Sequence, residues 1–169
     1  MFGSLISVAQ NKMNIVPIPA KINFFEGNAF FVIDRNTKIV LGPEGQGLEK
    51  FSDLLNLDLK KNYGFTLTVI KDFNPPKKNY INIGLRPPPL QNITDGVYSI
   101  NINEYAISIM GSKNEDLFHG LQTLLQMLQP GNDSKINDLR IPLLTIIDQP
   151  RFPYLHDYHP ACLPNCWRY

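Results

Sequence analysis

The stretch that decides the fold is Gly111–Gly131, "GSKNEDLFHGLQTLLQMLQPG". Leu117, Phe118, Leu121, Leu124, Leu125 and Leu128 recur at three- and four-residue intervals, which places them on one stripe of a helix. Ser112 with Glu115 three residues on has the form of a capping box, and Pro130-Gly131 closes the run, so a helix is predicted between them. Gly120 sits inside it at a propensity cost of about 1 kcal/mol relative to alanine. That cost predicts a close neighbour, a strand of a sheet, against the helix backbone. Glu115 and Asp116 are adjacent carboxylates, but at a helix start they offset the positive end of the dipole, and capping explains them better than paired-carboxylate catalysis. His119 falls with Gln122 and Gln126 on the polar side and reads as a surface or interface residue rather than a catalytic base.

Strands surround this helix. "IPLLTIID" (Ile141–Asp148) downstream reads as a buried strand. Upstream, "GVYSINI" and "YAISIM" alternate with period two and form a hairpin across Asn103-Glu104, with Tyr98, Ile100 and Ile102 on one face and Tyr105, Ile107 and Ile109 on one face of the partner. "FTLTVI" (Phe65–Ile70) and "YINIG" after Pro75-Pro76 are two more strands, while "RPPPLQNITDG" is a proline-rich loop. "FFVI" (Phe30–Ile33) and "KIVL" (Lys38–Leu41) are expected to pair across the polar turn Asp34–Thr37. Leu48, Phe51, Leu54 and Leu55 predict a first helix from about Gln46 to Asn56, with the chain restarting at Gly64 after "KKNY". Before these, "IVPIPAKINFFEG" is extended, because Pro17 and Pro19 disfavour helix in the residues preceding them, and it supplies a leading or edge strand. Strands in runs, interrupted by two amphipathic helices, predict an α+β domain: a mixed, largely antiparallel sheet with both helices packed on one face.

Composition narrows the function. The 169 residues suit one domain able to bury a core without staples. Hydrophobic residues at 43% against 18% charged exclude disorder, and no apolar run reaches membrane-spanning length. Sixteen basic and fifteen acidic residues leave a net charge of +1, which provides no field for nucleic acid. Ser7-Val8-Ala9 follows a short apolar stretch in the small-x-small pattern of a signal-peptidase site, though no Lys or Arg precedes it. The sequons at Asn92 and Asn132 are of a kind common by chance.

Candidate chemistry is sparse. His156, His159, Cys162 and Cys166 form H-x2-H-x2-C-x3-C, four residues of zinc-binding type. Zinc modules usually separate their ligand pairs by a dozen or more residues, whereas these four share eleven, so unpaired thiols are favoured, with a Cys162–Cys166 disulfide or a small zinc protein as alternatives. There is no G-x-S-x-G, and the glycines of "GPEGQG" lack the Lys-Ser/Thr of a phosphate loop. The residues therefore predict no catalytic, substrate-binding or metal site and no cofactor.

Two separated segments resemble a known family. "DLFHGLQTLLQMLQP" followed by "IPLLTIIDQPRFPY" is similar to the end of the N-terminal domain of family 20 glycoside hydrolases, the β-N-acetylhexosaminidases, with its "GL-x-TL-x-QL" helix and "I-x-D-x-PRF" strand end. "IVPIPAKINFFEGNAFFV" resembles that domain's opening, so the likeness spans Ile15–Tyr154. It implies an α+β domain that buttresses a (β/α)8 barrel, where an Asp-Glu pair and the substrate's acetamide hydrolyse terminal N-acetylhexosamine residues. It also implies a secreted, periplasmic or lysosomal setting. The family expects Arg-Gly after "PRF-x-x" and then the first barrel strand, but this chain has Leu155-His156 and "DYHPACLPNCWRY", which reads as a shifted frame or truncation. No catalytic or sugar-binding residue carries over, and Arg151 is placed at the domain junction. The expected organisation is a leading segment 1–14, a domain 15–148, and a junction with a divergent tail 149–169. The rival reading is a free-standing carbohydrate-binding or protein-interaction module: exposed aromatics such as Tyr98 or Tyr105 on an open sheet face would favour sugar stacking, whereas a contiguous apolar patch would favour a missing partner domain.

Overall fold

The computed structural model of the protein describes residues 15–42, 47–71, 75–85, 97–128 and 139–149. Nine strands and two helices follow in order: β1 (Lys21–Phe24), β2 (Phe30–Ile33), β3 (Lys38–Leu41), α1 (Glu49–Tyr63), β4 (Thr68–Ile70), β5 (Tyr80–Leu85), β6 (Tyr98–Ile102), β7 (Ala106–Gly111), α2 (Asn114–Met127), β8 (Leu139–Pro142) and β9 (Leu144–Asp148). Seven strands make one sheet in the order β1-β9-β6-β7-β5-β3-β4, and β2 with β8 makes a second, two-stranded sheet. The α+β expectation holds, with a mixed sheet. Within the seven-stranded sheet antiparallel pairing is confined to the half from β1 to β7, whereas β7, β5, β3 and β4 run parallel.

Strand periodicity builds the core. Cross-strand register aligns Ile39, Ile81, Ile107, Ile102 and Leu144 in one rung, and Leu41, Ile83, Ile109, Ile100 and Ile146 in the next. Both rungs are buried in the same cluster as Leu55, Leu59, Leu117, Leu121 and Leu124 of the helices. Each such side chain contributes roughly 1.5–3 kcal/mol by leaving water, so this layer is the fold's main source of stability. The intervening row on the other face carries Asn82, Ser108, Asn101 and Thr145, half-buried and polar. The alternation is the reason the helices cover only one side.

Several expectations need correction. β2 and β3 do not pair: β2 lies antiparallel to β8, and β3 lies parallel to β5. The turn between them is not a hairpin turn. Asp34 Oδ1 accepts the Asn36 and Thr37 amides, and the fully buried Thr37 donates its hydroxyl to Asn79 Oδ1 at 2.6 Å. Asn79 O then accepts the Lys38 amide, which starts β3 beside β5 instead of β2.

Helix α1 runs seven residues past Asn56, because Leu59 extends the Phe51–Leu55 stripe by another four and Tyr63 packs partly against it. It ends at Gly64, whose φ of 74° is a left-handed cap that donates its amide to Lys60 O. Asn56 looked like a terminus but acts as a staple: its amide pairs with both the N–H and the C=O of Leu67. That exchange gives Leu67 the partners a ladder would have given, so β4 begins only at Thr68.

The α2 cap lies one residue later than predicted, with Lys113 at the N-cap and its amide donating to Asp116 Oδ2, while the Ser112 hydroxyl bonds Val97 O. Asp116 is buried, and desolvation pushes its carboxyl above the usual range despite the nearby Lys113. The "IPLLTIID" run is two strands, β8 and β9, serving different sheets. No helix among the described residues is long and apolar enough to cross a membrane.

Candidate functional site

Two features of the helix layer stand apart from ordinary core packing. The first is a groove of about 530 Å³ between the N-terminal halves of α1 and α2, lined by Lys50, Phe51, Leu54, Asn114, Glu115 and Phe118. Phe118 was expected in the buried leucine stripe, but it points outward and is 40% exposed, because the stripe is centred on Leu117, Leu121 and Leu124 and Phe118 lies off its edge. Its ring meets His119 edge-on at 6.2 Å. Leu54 and Leu57 continue the apolar surface along α1, and Leu57 is 65% exposed. Lys50 and Glu115 give the rim one charge of each sign. The groove can therefore take an apolar side chain between flanking polar contacts.

The second feature joins the two segments that carried the family resemblance. Gly120 is where α2 meets the sheet: a Cβ there would lie 2.9 Å from Ile109 Cγ2 and 3.2 Å from Tyr98 Cδ2. The strand neighbours predicted for this glycine are thus β7 and β6. Bare backbone at Gly120 lets the Tyr98 ring lie under α2, with its hydroxyl 2.8 Å from Thr123 Oγ1 and 3.0 Å from Asp148 Oδ2. Each hydroxyl has one hydrogen, so Tyr98 donates to the carboxylate and Thr123 donates to Tyr98. Burial, then the neighbouring Asp148 charge, pushes the Tyr98 hydroxyl far above its ordinary range in spite of the Thr123 bond, so it stays a donor. Asp148 Oδ1 accepts the Ala20 amide at 2.9 Å. One helical turn beyond Thr123, the Gln126 amide accepts from Val16 N–H at 2.7 Å and donates to Val16 C=O at 3.0 Å.

Sequence reasoning missed this clamp. Tyr98 shares a face with Ile100 and Ile102 as the alternation predicts, and at 3% exposed it does not supply the exposed stacking aromatic that would favour a carbohydrate-binding module. Tyr105 is exposed at 60%, but it stands in the turn after Asn103, whose side chain accepts the Tyr105 and Ala106 amides. Gln126, grouped with the polar side, holds the leading segment instead. The available signal was the pattern of Gly120, Thr123 and Gln126 at three-residue spacing, which lines one flank of a helix. Arg151, His156, His159, Cys162 and Cys166, the Pro130-Gly131 stop and both sequons lie outside the described residues. Among the described residues, no group of three or more His, Cys, Asp or Glu is arranged to hold a metal ion.

The family described as glycosyl hydrolase family 20, domain 2, matches residues 12–149. A beta-hexosaminidase of Porphyromonas gingivalis is 30% identical over 147 residues, covering 84% of this chain and 18% of that protein. The beta-hexosaminidase of Streptomyces plicatus, solved in complex with product GlcNAc, superposes with a TM-score of 0.65 at 25% identity over 83% of this chain and 27% of its own. The GH20 beta-N-acetylhexosaminidase of Streptomyces coelicolor gives a TM-score of 0.64 at 26% identity, again over 83% and 27%. The chain thus spans less than a third of the length of each of these relatives, in which a larger catalytic domain lies beyond the matched part. Residues 12–149 cover most of the chain, and the chain belongs to the glycosyl hydrolase family 20, domain 2, family.

Proposed function

We propose that this domain is a non-catalytic partner of a (β/α)8 catalytic domain that releases terminal N-acetylhexosamine residues from glycans. In this reading it buttresses that domain through its helix layer. The observation that carries it is the groove: Phe118 is held outward on α2 opposite Leu54 of α1, over a fold whose relatives extend far beyond the matched region. Apolar side chains left open on one side of a helix pair are the usual mark of a surface that meets another domain. Hydrolysis itself belongs to the catalytic domain, and the role of this one is to hold that domain's geometry. Incubating the purified chain with a chromogenic N-acetylglucosaminide tests the division of labour. No release of chromophore is expected, and turnover that survives repurification would overturn the proposal.

A further inference from the structure

We propose that Asp148 is a positioning residue, which fixes the direction in which the chain leaves β9 and so the seat of the neighbouring domain. This rests on the docking role given above. Leu144, Ile146 and Asp148 share one face of β9, the face that packs on the helices, so a carboxylate occupies the next place in an otherwise apolar row. A charge on such a face is costly unless paired, and an apolar residue there is often neutral or stabilising. Here both oxygens are used, one by the Ala20 amide and one by the Tyr98 hydroxyl.

What the arrangement supplies is geometry. Through Tyr98 and Thr123 the end of β9 is tied to α2, and through Gln126 and Val16 the leading segment is tied to the same helix one turn on. Ala20 closes the circuit by linking the leading segment to Asp148. Gln149 therefore departs from a point referenced to α2, the helix that also presents Phe118 to the groove. A hydrogen-bonded circuit through four chain segments admits one arrangement, which an apolar contact would not enforce.

The test uses the full chain and Asp148→Leu, which keeps roughly the size but offers no acceptor to Ala20 N–H or Tyr98 O–H. Two readouts are taken: hydrogen exchange at the Ala20 amide, and affinity for the separately produced catalytic portion of the Porphyromonas gingivalis relative. Exchange at Ala20 should rise about 10-fold or more with β5 and β7 amides unchanged, and affinity should fall by about 10-fold, the equivalent of 1.4 kcal/mol. Tyr98→Phe, which keeps the ring under Gly120 but unties β9 from α2, should lower the affinity in the same way and stands in if Asp148→Leu does not fold. Unaltered Ala20 exchange in Asp148→Leu, a uniform rise at all amides, or wild-type affinity in both variants would overturn the positioning role. Failure of the unaltered chain to bind would instead overturn the docking role on which it rests.

Discussion

Replacing Gly120 by alanine sets two effects of similar size against each other, and the structure decides the sign. At an exposed helix position the change would stabilise by about 1 kcal/mol, the propensity difference. Here the new methyl would sit 2.9 Å from Ile109 Cγ2 and 3.2 Å from Tyr98 Cδ2. Neither neighbour can withdraw without cost. Ile109 is fully buried between Ile83 and Ile100 in its rung, and Tyr98 is held by Thr123 and Asp148. Overpacking of a closed core costs about 1–3 kcal/mol, and with both neighbours fixed the upper end applies. The net is a loss of about 2 kcal/mol, or roughly 4–8 °C in Tm for a domain of this size. Thermal unfolding followed by circular dichroism measures it. If the methyl displaces the Tyr98 ring, Tyr98→Phe should cost less in the Gly120→Ala background than alone, a coupling read by a double-mutant cycle. A Gly120→Ala chain more stable than the parent would refute the close-packing argument.

Two further outcomes follow from local hydrogen bonding. Asn56→Ala strips the Leu67 amide and carbonyl of their partners at a residue only 4% exposed, so urea unfolding should show a loss of about 2–4 kcal/mol with an unchanged m-value; a loss below about 0.5 kcal/mol would mean that the staple is not formed. Partial burial works to raise the Asp34 carboxyl, but hydrogen bonds from Asn79, Asn36 and Thr37 outweigh it and hold the group below its ordinary 3.8. A carboxylate lowered in the folded state adds stability that is complete above the ordinary value and fades as pH falls through the lowered one. Asp34→Ala should therefore be less stable than the parent at pH 7, with the gap narrowing below about pH 4, and a gap constant from pH 7 to pH 2 would contradict the assignment.

What could be read in the sequence was whatever short-range periodicity encodes. The leucine stripe of α2, the β6–β7 hairpin and the contact at Gly120 all depend on residues whose spacing along the chain reports the face they occupy. Pairing over distance was hidden. Asp34–Thr37 has the length and polarity of a hairpin turn, and nothing local shows that Thr37 will bond Asn79, 42 residues on. The roles of Asn56 and Tyr98 were hidden for a related reason: the spacing of a residue reports its face but not the partner of its polar atom. Asn56 finds Leu67 and Tyr98 finds Thr123 and Asp148 only in the folded chain. The family motifs, by contrast, were legible as patterns before their purpose was. The structure supplies it: Gly120 makes room, Thr123 and Asp148 bond the ring that fills it, and Gln126 holds the segment that leads in.

The docking of this domain on a catalytic partner is tested most directly by titrating the full chain into the separately produced catalytic portion of the Porphyromonas gingivalis relative, followed by calorimetry. The account predicts a saturable one-to-one complex that Phe118→Asp, in the groove, weakens by about 10-fold or more, and that Tyr105→Asp, in the turn after β6, leaves intact. No complex, or one that Phe118→Asp does not weaken, would contradict it.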